Sequence, residues 1–205
     1  MDNSALFKIG YGLYVVTAKE GEKDNGCIVN TVMQVTSSPL VIILGVNKQN
    51  YTHNMIMNTK EFNISVLTTE SKFSVFQNFG FRSGKENDKF AEFKNIERAE
   101  NGIYYIKENT NAYLSGKVME AIDFGTHTLF KAEVTDAKTL SADSTLTYDY
   151  YQKHVKPAPK PADKPGWRCK ICGYVYEGED LPADFICPWC KHGAADFEKI
   201  IIENK

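Results

Sequence analysis

Apolar residues in this chain gather in short runs rich in Val, Ile, Tyr, Phe and Thr, at residues 13–18, 27–35, 40–46, 62–67, 112–120 and 128–134. Runs of this length and composition predict β-strands. Helical signals cover only residues 52–58, where Thr52 can cap, and 71–79, where Ser71 precedes Phe73, Val75, Phe76 and Phe79. Many strands and few helices predict a mainly β protein, a closed antiparallel barrel with helices plugging its ends or covering an edge. The longest apolar runs, such as 40–46, fall far short of the ~20 residues that cross a bilayer.

This pattern stops near residue 153. Four of the seven prolines fall in Val155-Lys-Pro-Ala-Pro-Lys-Pro-Ala-Asp-Lys-Pro165-Gly. Proline fixes φ and removes an amide donor, so the stretch is neither helix nor inner strand. It is expected to be an extended, semi-rigid spacer of about 3.1 Å per residue. Lys153, Lys156, Lys160 and Lys164 make it basic. With no aromatic residues interleaved, that charge reads as a solvated linker rather than a nucleic-acid tail. The expected organisation is a body of residues 1–153, a linker of 154–166 and a tail of 167–205.

The composition, 42% hydrophobic and 24% charged, is that of an ordinary globular protein. A net charge of −2 gives no reason to expect nucleic acid or an anionic membrane as partner. The N-terminal residues lack the basic region and apolar core of a signal peptide, so the expected location is cytoplasmic. Four of the five cysteines are paired in short motifs, which in a reducing compartment points to metal rather than disulfides. Cys27 lies in an apolar run and reads as a buried, inert thiol.

The tail is too short to bury a sufficient core alone and needs a metal or a disulfide. Cys169-Lys-Ile-Cys172-Gly and Cys187-Pro-Trp-Cys190 supply two Cys-x-x-Cys knuckles that can wrap one tetrahedral ion. An all-thiolate set selects zinc or iron over hard cations, and the spacing leaves both open. Gly173 lets the backbone pass close to the sulfurs with an N–H to donate, and Pro188 stiffens the second knuckle. Trp167, Tyr174, Tyr176, Phe185, Trp189 and Phe197 are expected to form a dry aromatic core over the metal.

These residues, with Leu181-Pro-Ala-Asp-Phe185 and Asp196-Phe197-Glu-Lys, resemble rubredoxin over nearly the whole tail. The stretch between the knuckles is shorter than in free-standing rubredoxins, and Lys191 stands where glycine usually follows the last cysteine. The resemblance implies one iron held by Cys169, Cys172, Cys187 and Cys190. The competing reading is a zinc ribbon that only binds a partner. His192 is not needed to complete the tetrahedron.

In the body, the run Asn25-Gly-Cys-Ile-Val-Asn30-Thr31-Val32-Met-Gln34-Val35-Thr-Ser-Ser-Pro39 interrupts an otherwise buried strand with amides and hydroxyls. Buried polar groups need partners, and a planar heterocycle with edge donors and acceptors could supply them. Val46-Asn-Lys48-Gln-Asn50-Tyr51-Thr52 is a strand end running into a helix start, where free amides, the helix dipole and one lysine suit a phosphate. A third element is Gly125-Thr-His127-Thr-Leu-Phe130.

Together these stretches resemble the flavin reductase family, small split β-barrels that bind FMN, usually as homodimers. The resemblance implies that Asn30, Thr31, Val32, Gln34 and Val35 cradle the flavin ring and that Lys48, Asn50, Tyr51 and Thr52 hold its phosphate. Phe79-Gly80-Phe-Arg-Ser83-Gly84 resembles a loop that closes over the flavin, with Ser83 a contact. His127 falls where the family has a histidine facing the nicotinamide or the flavin, and is the candidate catalytic residue. Thr126 replaces the family's more common Asp before it. His53 and His154 read as surface or linker residues with no role.

The order flavin reductase, linker, rubredoxin resembles the fused proteins called high-molecular-weight rubredoxins. That likeness implies electron flow from NAD(P)H to FMN, then singly to iron, and out to an acceptor redox protein, such as a flavo-diiron oxygen or nitric oxide reductase. No Gly-x-Gly-x-x-Gly is present, so nicotinamide is expected to bind across the flavin rather than in its own domain. Two alternatives stand beside this oxidoreductase reading: a transfer module reduced by another protein without NAD(P)H activity of its own, and a zinc-ribbon binding protein.

Overall fold

The computed structural model describes residues 3–91, 93–157, 166–170, 172–188 and 192–200. It divides into two units, Met1–Lys156 and Pro157–Lys205.

The first unit carries β1 (Tyr14–Glu20), β2 (Lys23–Val29), β3 (Val32–Ser37), β4 (Leu40–Asn47), β5 (Glu61–Leu67), the short pair β6 (Ile96–Arg98) and β7 (Tyr104–Ile106), then the long strands β8 (Thr110–Asp123) and β9 (His127–Thr139). Seven of these form one sheet in the order β2-β1-β5-β8-β9-β4-β3, with antiparallel neighbours throughout. β2 and β3 therefore lie at opposite edges, yet only Asn30 and Thr31 separate them in the chain. The three steps from Val29 to Val32 span at most about 10 Å, so the sheet must roll until its edges meet at that link. Among the described residues no ladder joins β2 to β3, which leaves the barrel split there.

The barrel interior is filled by Val16, Ala18, Leu44, Val46, Phe62, Ile64, Phe130 and Ala132. The helix α1 (Tyr51–Thr59) adds Met55 and Ile56 to this core. It ends at Lys60, whose left-handed conformation (φ 62°) directs its amide to the Ile56 carbonyl. A second core outside the barrel joins Leu13, Val15, Leu67 and Leu146 to Phe76, Phe79, Phe90 and Tyr151. β1 is buried on both faces, with Val15 in one core and Val16 in the other. That is why it reads as a continuous apolar run rather than an alternating one.

Two sequence expectations are corrected. The run 27–35 is two strands on opposite edges. The helix expected over 71–79 is a short α2 (Phe73–Phe76) that widens into a π-helical turn over Gln77–Phe81. There the Phe79 carbonyl accepts from Lys89 Nζ at 3.1 Å, while the Phe79 ring packs on Phe90 and Phe93. An unforeseen helix, α3 (Tyr148–Tyr150), starts at Thr147, whose hydroxyl accepts from the Tyr150 amide at 3.2 Å. It continues as a π turn over Tyr151–Val155, into the stretch expected to be linker.

Among its described residues the second unit has three short strands, β10 (Gly166–Cys169), β11 (Val175–Tyr176) and β12 (Phe197–Ile200), in the order β11-β10-β12. Most of the expected spacer, residues 158–165, lies outside the described residues. Among the described residues no helix is long and apolar enough to cross a membrane.

Candidate functional site

Cys169 closes β10 and Cys172 lies in the turn that follows. Gly173 makes that turn possible with φ +82°, a left-handed conformation that costs glycine little. Its amide donates to the Cys169 carbonyl at 2.9 Å, and the Cys169 amide donates to the Tyr174 carbonyl at 2.8 Å. The Gly173 N–H expected for a sulfur is thus spent on closing the knuckle. In the second knuckle the Cys187 amide donates to the His192 carbonyl at 2.8 Å, beside a bridge between Ile186 and Gly193.

The sulfurs of Cys169, Cys172 and Cys187 lie within 4.8 Å of one another, and all three residues are buried. Cys172 Sγ and Cys187 Sγ are 3.4 Å apart, too far for the ~2.05 Å bond of a disulfide. A tetrahedral ion with metal–sulfur bonds of about 2.3 Å needs sulfurs roughly 3.8 Å apart. The donor set and spacing fit one zinc or iron. Cys190, the expected fourth ligand, lies outside the described residues, as does Trp189. Around the thiols, Phe185 meets Tyr176 at 4.8 Å and Phe197 at 5.4 Å between ring centroids. Phe197 is buried, whereas Trp167, Tyr174, Tyr176 and Phe185 are half-buried, so the aromatic shell is less dry than expected.

In the barrel, Asn30 and Thr31 form the link between the sheet edges, and Thr31 backs onto Gly45 of β4, whose amide donates to the Thr31 carbonyl at 2.8 Å. Val32, Gln34 and Val35 lie on β3, an edge strand whose outer main-chain groups pair with no other strand among the described residues. Gln34 and Val35 are exposed, which corrects the picture of a buried strand broken by polar residues. The apolar residues Met33 (57% exposed) and Val35 (57%) of β3, Leu40 of β4, Met119 (55%) and Ile122 of β8, and Phe124 (64%) just beyond it are exposed.

Lys48 and Asn50 occupy the turn from β4 to α1, Tyr51 and Thr52 open the helix, and His127 opens β9 opposite Asn47. α1 has no side-chain cap at Asn50, so its first amides remain the natural place for an anion. Thr52 differs from expectation: it is fully buried, and its hydroxyl accepts from Asn25 Nδ2 at 3.0 Å, leaving only its main chain for a phosphate. Gly84 fits because a side chain there would overlap the Asn25 amide, so the loop carrying Ser83 passes directly against the residue bonded to the start of α1. Asn25 is buried, and its Oδ1 has no hydrogen-bond partner among the described residues. Uncapped amides, a nearby lysine and an open strand edge fit a flavin phosphate and ring edge.

Lys48 is already paired. Its Nζ lies 2.6 Å from Asp123 Oδ1, which also accepts from the Gly125 amide at 2.7 Å. The Lys48 ammonium and the Gly125 amide hold the Asp123 carboxyl below the usual range. Thr126 Oγ1 engages His127 Nδ1 at 2.9 Å, and His127 is exposed. His53, expected at the surface, is buried in α1 with both ring nitrogens bonded. The sequence holds no local signal for the roles of Asn25, Asp123 and His53, whose partners Thr52, Lys48 and Thr128 lie 27, 75 and 75 residues away.

Beneath α1, Cys27 is buried, and burial pushes its thiol pKa up. Lys89 is buried beside it, donating to the carbonyls of Gly26 at 2.8 Å and Phe79 at 3.1 Å. Burial lowers the Lys89 pKa to about 8.

Residues 6–159 match the family model described as "Flavin reductase like domain", and residues 167–198 match "Rubrerythrin, rubredoxin-like domain". The chain is 40% identical to "High molecular weight rubredoxin" of Moorella thermoacetica, over 98% of this chain and 100% of that protein. It is 38% identical to "Ferric-chelate reductase (NAD(P)H)" of Archaeoglobus fulgidus, over 79% of this chain and 96% of the other. The NADH:FAD oxidoreductase SgcE6 of Streptomyces globisporus, solved with NAD and FAD fragments, shares the fold with a TM-score of 0.62 at 24% identity, covering 71% of this chain and 87% of that one. With a flavin reductase-like segment followed by a rubredoxin-like one, and 40% identity over 98% of its length to a high-molecular-weight rubredoxin, the chain belongs to the flavin reductase-like family, in the branch fused to a C-terminal rubredoxin-like module, the high-molecular-weight rubredoxins.

Proposed function

We propose that this protein is an FMN-dependent NAD(P)H oxidoreductase that passes electrons to one iron in its four-cysteine module and on to an acceptor redox protein, of the flavo-diiron class by family likeness. The observation that carries the reading is three buried thiols at near-tetrahedral spacing on the same chain as a flavin reductase-like barrel. FMN, when bound, accepts two electrons as a hydride and can release them singly, which a one-iron centre requires.

The chain's own residues supply binding and orientation. Lys48, the Asn50 side chain and the main-chain amides of Tyr51 and Thr52 hold the phosphate, and Ser83 approaches it on the loop that passes against Asn25. Asn30, Thr31, Val32, Gln34 and Val35 offer main-chain and side-chain groups to the ring edge. His127 keeps Nδ1 on Thr126, so Nε2 is the ring atom it presents to nicotinamide or flavin. Cys169, Cys172, Cys187 and Cys190 hold the iron. The residues after Val155, up to 166, act as a tether that gives the module a high effective concentration for the flavin. A second copy of the chain covers the apolar residues of β3 and β8, giving a homodimer.

The test is FMN and metal content per chain after anaerobic purification, followed by oxidation of NADH and NADPH. One FMN, one iron and nicotinamide oxidation support the reading. One zinc with no flavin overturns it in favour of a binding protein.

A further inference from the structure

We infer that His53 is a positioning residue, which ties the opening turn of α1 to the start of β9 and so sets the phosphate turn against His127. The inference rests on the FMN reading above.

His53 is the third residue of α1 and only 7% exposed. Its Nε2 lies 2.8 Å from Thr128 Oγ1, and its Nδ1 lies 3.1 Å from Asn54 Oδ1. The ring tilts against Phe130 with centroids 5.7 Å apart. Its neighbours in the helix and barrel, Met55, Ile56 and Phe130, are completely buried. An apolar side chain would fill this space but would leave the Thr128 hydroxyl, itself buried, without this partner. A hydroxyl both donates and accepts, so either imidazole tautomer can make the bond. The histidine is there for the bond rather than for the volume.

What the bond joins gives it a role. Asn50, Tyr51 and Thr52 directly precede His53 and form the candidate phosphate turn. His127 directly precedes Thr128. The β4–β9 ladder ends at Asn47 and His127, with one further main-chain bond from Lys48 N to Thr126 O at 3.0 Å. Beyond that point the chain leaves the sheet for the helix, and His53 reaches back to β9 from inside. At the surface the Lys48–Asp123 pair ties the β4–α1 turn to the end of β8 instead, with side chains 35% and 71% exposed. Exposed pairs are screened by water and salt, whereas the buried bond is not. A shift of ~1 Å between reacting groups can cost about 100-fold in rate, so this bond has leverage on both flavin binding and hydride transfer.

The experiment uses the full-length protein. FMN affinity is read from quenching of flavin fluorescence, and the anaerobic rate of flavin bleaching by NADH is read at saturating FMN. The variants are His53→Ala, Thr128→Val, Thr128→Ser and the double variant His53→Ala/Thr128→Val. Each of the first two is expected to weaken FMN binding and slow bleaching about tenfold, with the KM for NADH within about twofold. Thr128→Ser keeps the hydroxyl and should stay within about twofold of the parent in both readouts, while the double variant should be no worse than the poorer single. A folded His53→Ala or Thr128→Val protein with parental affinity and bleaching rate would overturn the inference, as would losses that multiply in the double variant. If His53→Ala does not fold, the Thr128→Val and Thr128→Ser pair decides the question from the other end of the bond. A parent protein that binds no FMN would overturn the functional reading, and the inference with it.

Discussion

Gly45 of β4 lies so close to Thr31 that a Cβ on it would stand 3.0 Å from the Thr31 side chain, while its amide donates to the Thr31 carbonyl at 2.8 Å. Thr31 is where the chain passes from one edge of the sheet to the other, so this contact closes the barrel. Gly45→Val is expected to destabilise the body by about 1–3 kcal/mol through overpacking, and Gly45→Ala by less. Urea midpoints would show it. Unchanged midpoints would mean that the crossing is loose.

Cys187→Ser should abolish stoichiometric metal binding and unfold the tail, because folding of so small a module is coupled to its metal. Both tryptophans of the chain, Trp167 and Trp189, lie in the tail, so tryptophan emission reports this unfolding apart from the body. Flavin reduction by NADH should survive. Its loss in the same variant would contradict a division into separately folding domains.

Lys89 gives a pH signature. The folded protein holds this proton only up to about pH 8, whereas the ordinary lysine value is 10.5. Between those limits the unfolded chain binds more protons, so stability rises with pH. Cys27 acts oppositely: its thiol is raised above 9.0, so above that pH the unfolded chain releases its proton first and stability falls. From pH 8 to 9 the Lys89 effect should dominate, adding on the order of 1 kcal/mol. Lys89→Met should flatten that slope in urea titrations. An equal slope in the variant would refute the assignment.

Lys48 is shared between its partner Asp123 and the proposed phosphate. Asp123→Asn should free the lysine and tighten FMN binding up to about fivefold at low salt, consistent with an exposed pair worth at most ~1 kcal/mol. The gain should shrink as salt is added. Lys48→Met should weaken binding. Weaker binding in Asp123→Asn would show instead that the carboxylate aims the lysine.

The parts of this molecule that are legible in its sequence are those whose geometry is encoded locally. Cys-x-x-Cys fixes two sulfurs on one turn, so the three described thiols meet where the motif puts them. β4 and α1 match expectation within a residue or two because their periodicity lies within their own span. The link at Asn30 and Thr31 lies inside what reads as one strand-like run, since the residue that makes room for it, Gly45, is on another strand. β8 and β9 run on to Asp123 and Thr139 although the apolar runs stop earlier. Their outer halves are exposed and carry Glu120, Asp123, Asp136 and Lys138, so the ladder continues where the hydrophobic signal ends. Asp123 and His53 act through partners 75 residues away, beyond any local pattern.

The account's central claim is a single electron path from nicotinamide through flavin to the iron of the four-cysteine module, and an anaerobic visible spectrum before and after one equivalent of NADH tests it most directly. The prediction is flavin bands together with ferric–thiolate absorption, both bleaching on addition. Flavin that bleaches while the iron stays oxidised, or a protein with neither chromophore, would contradict it.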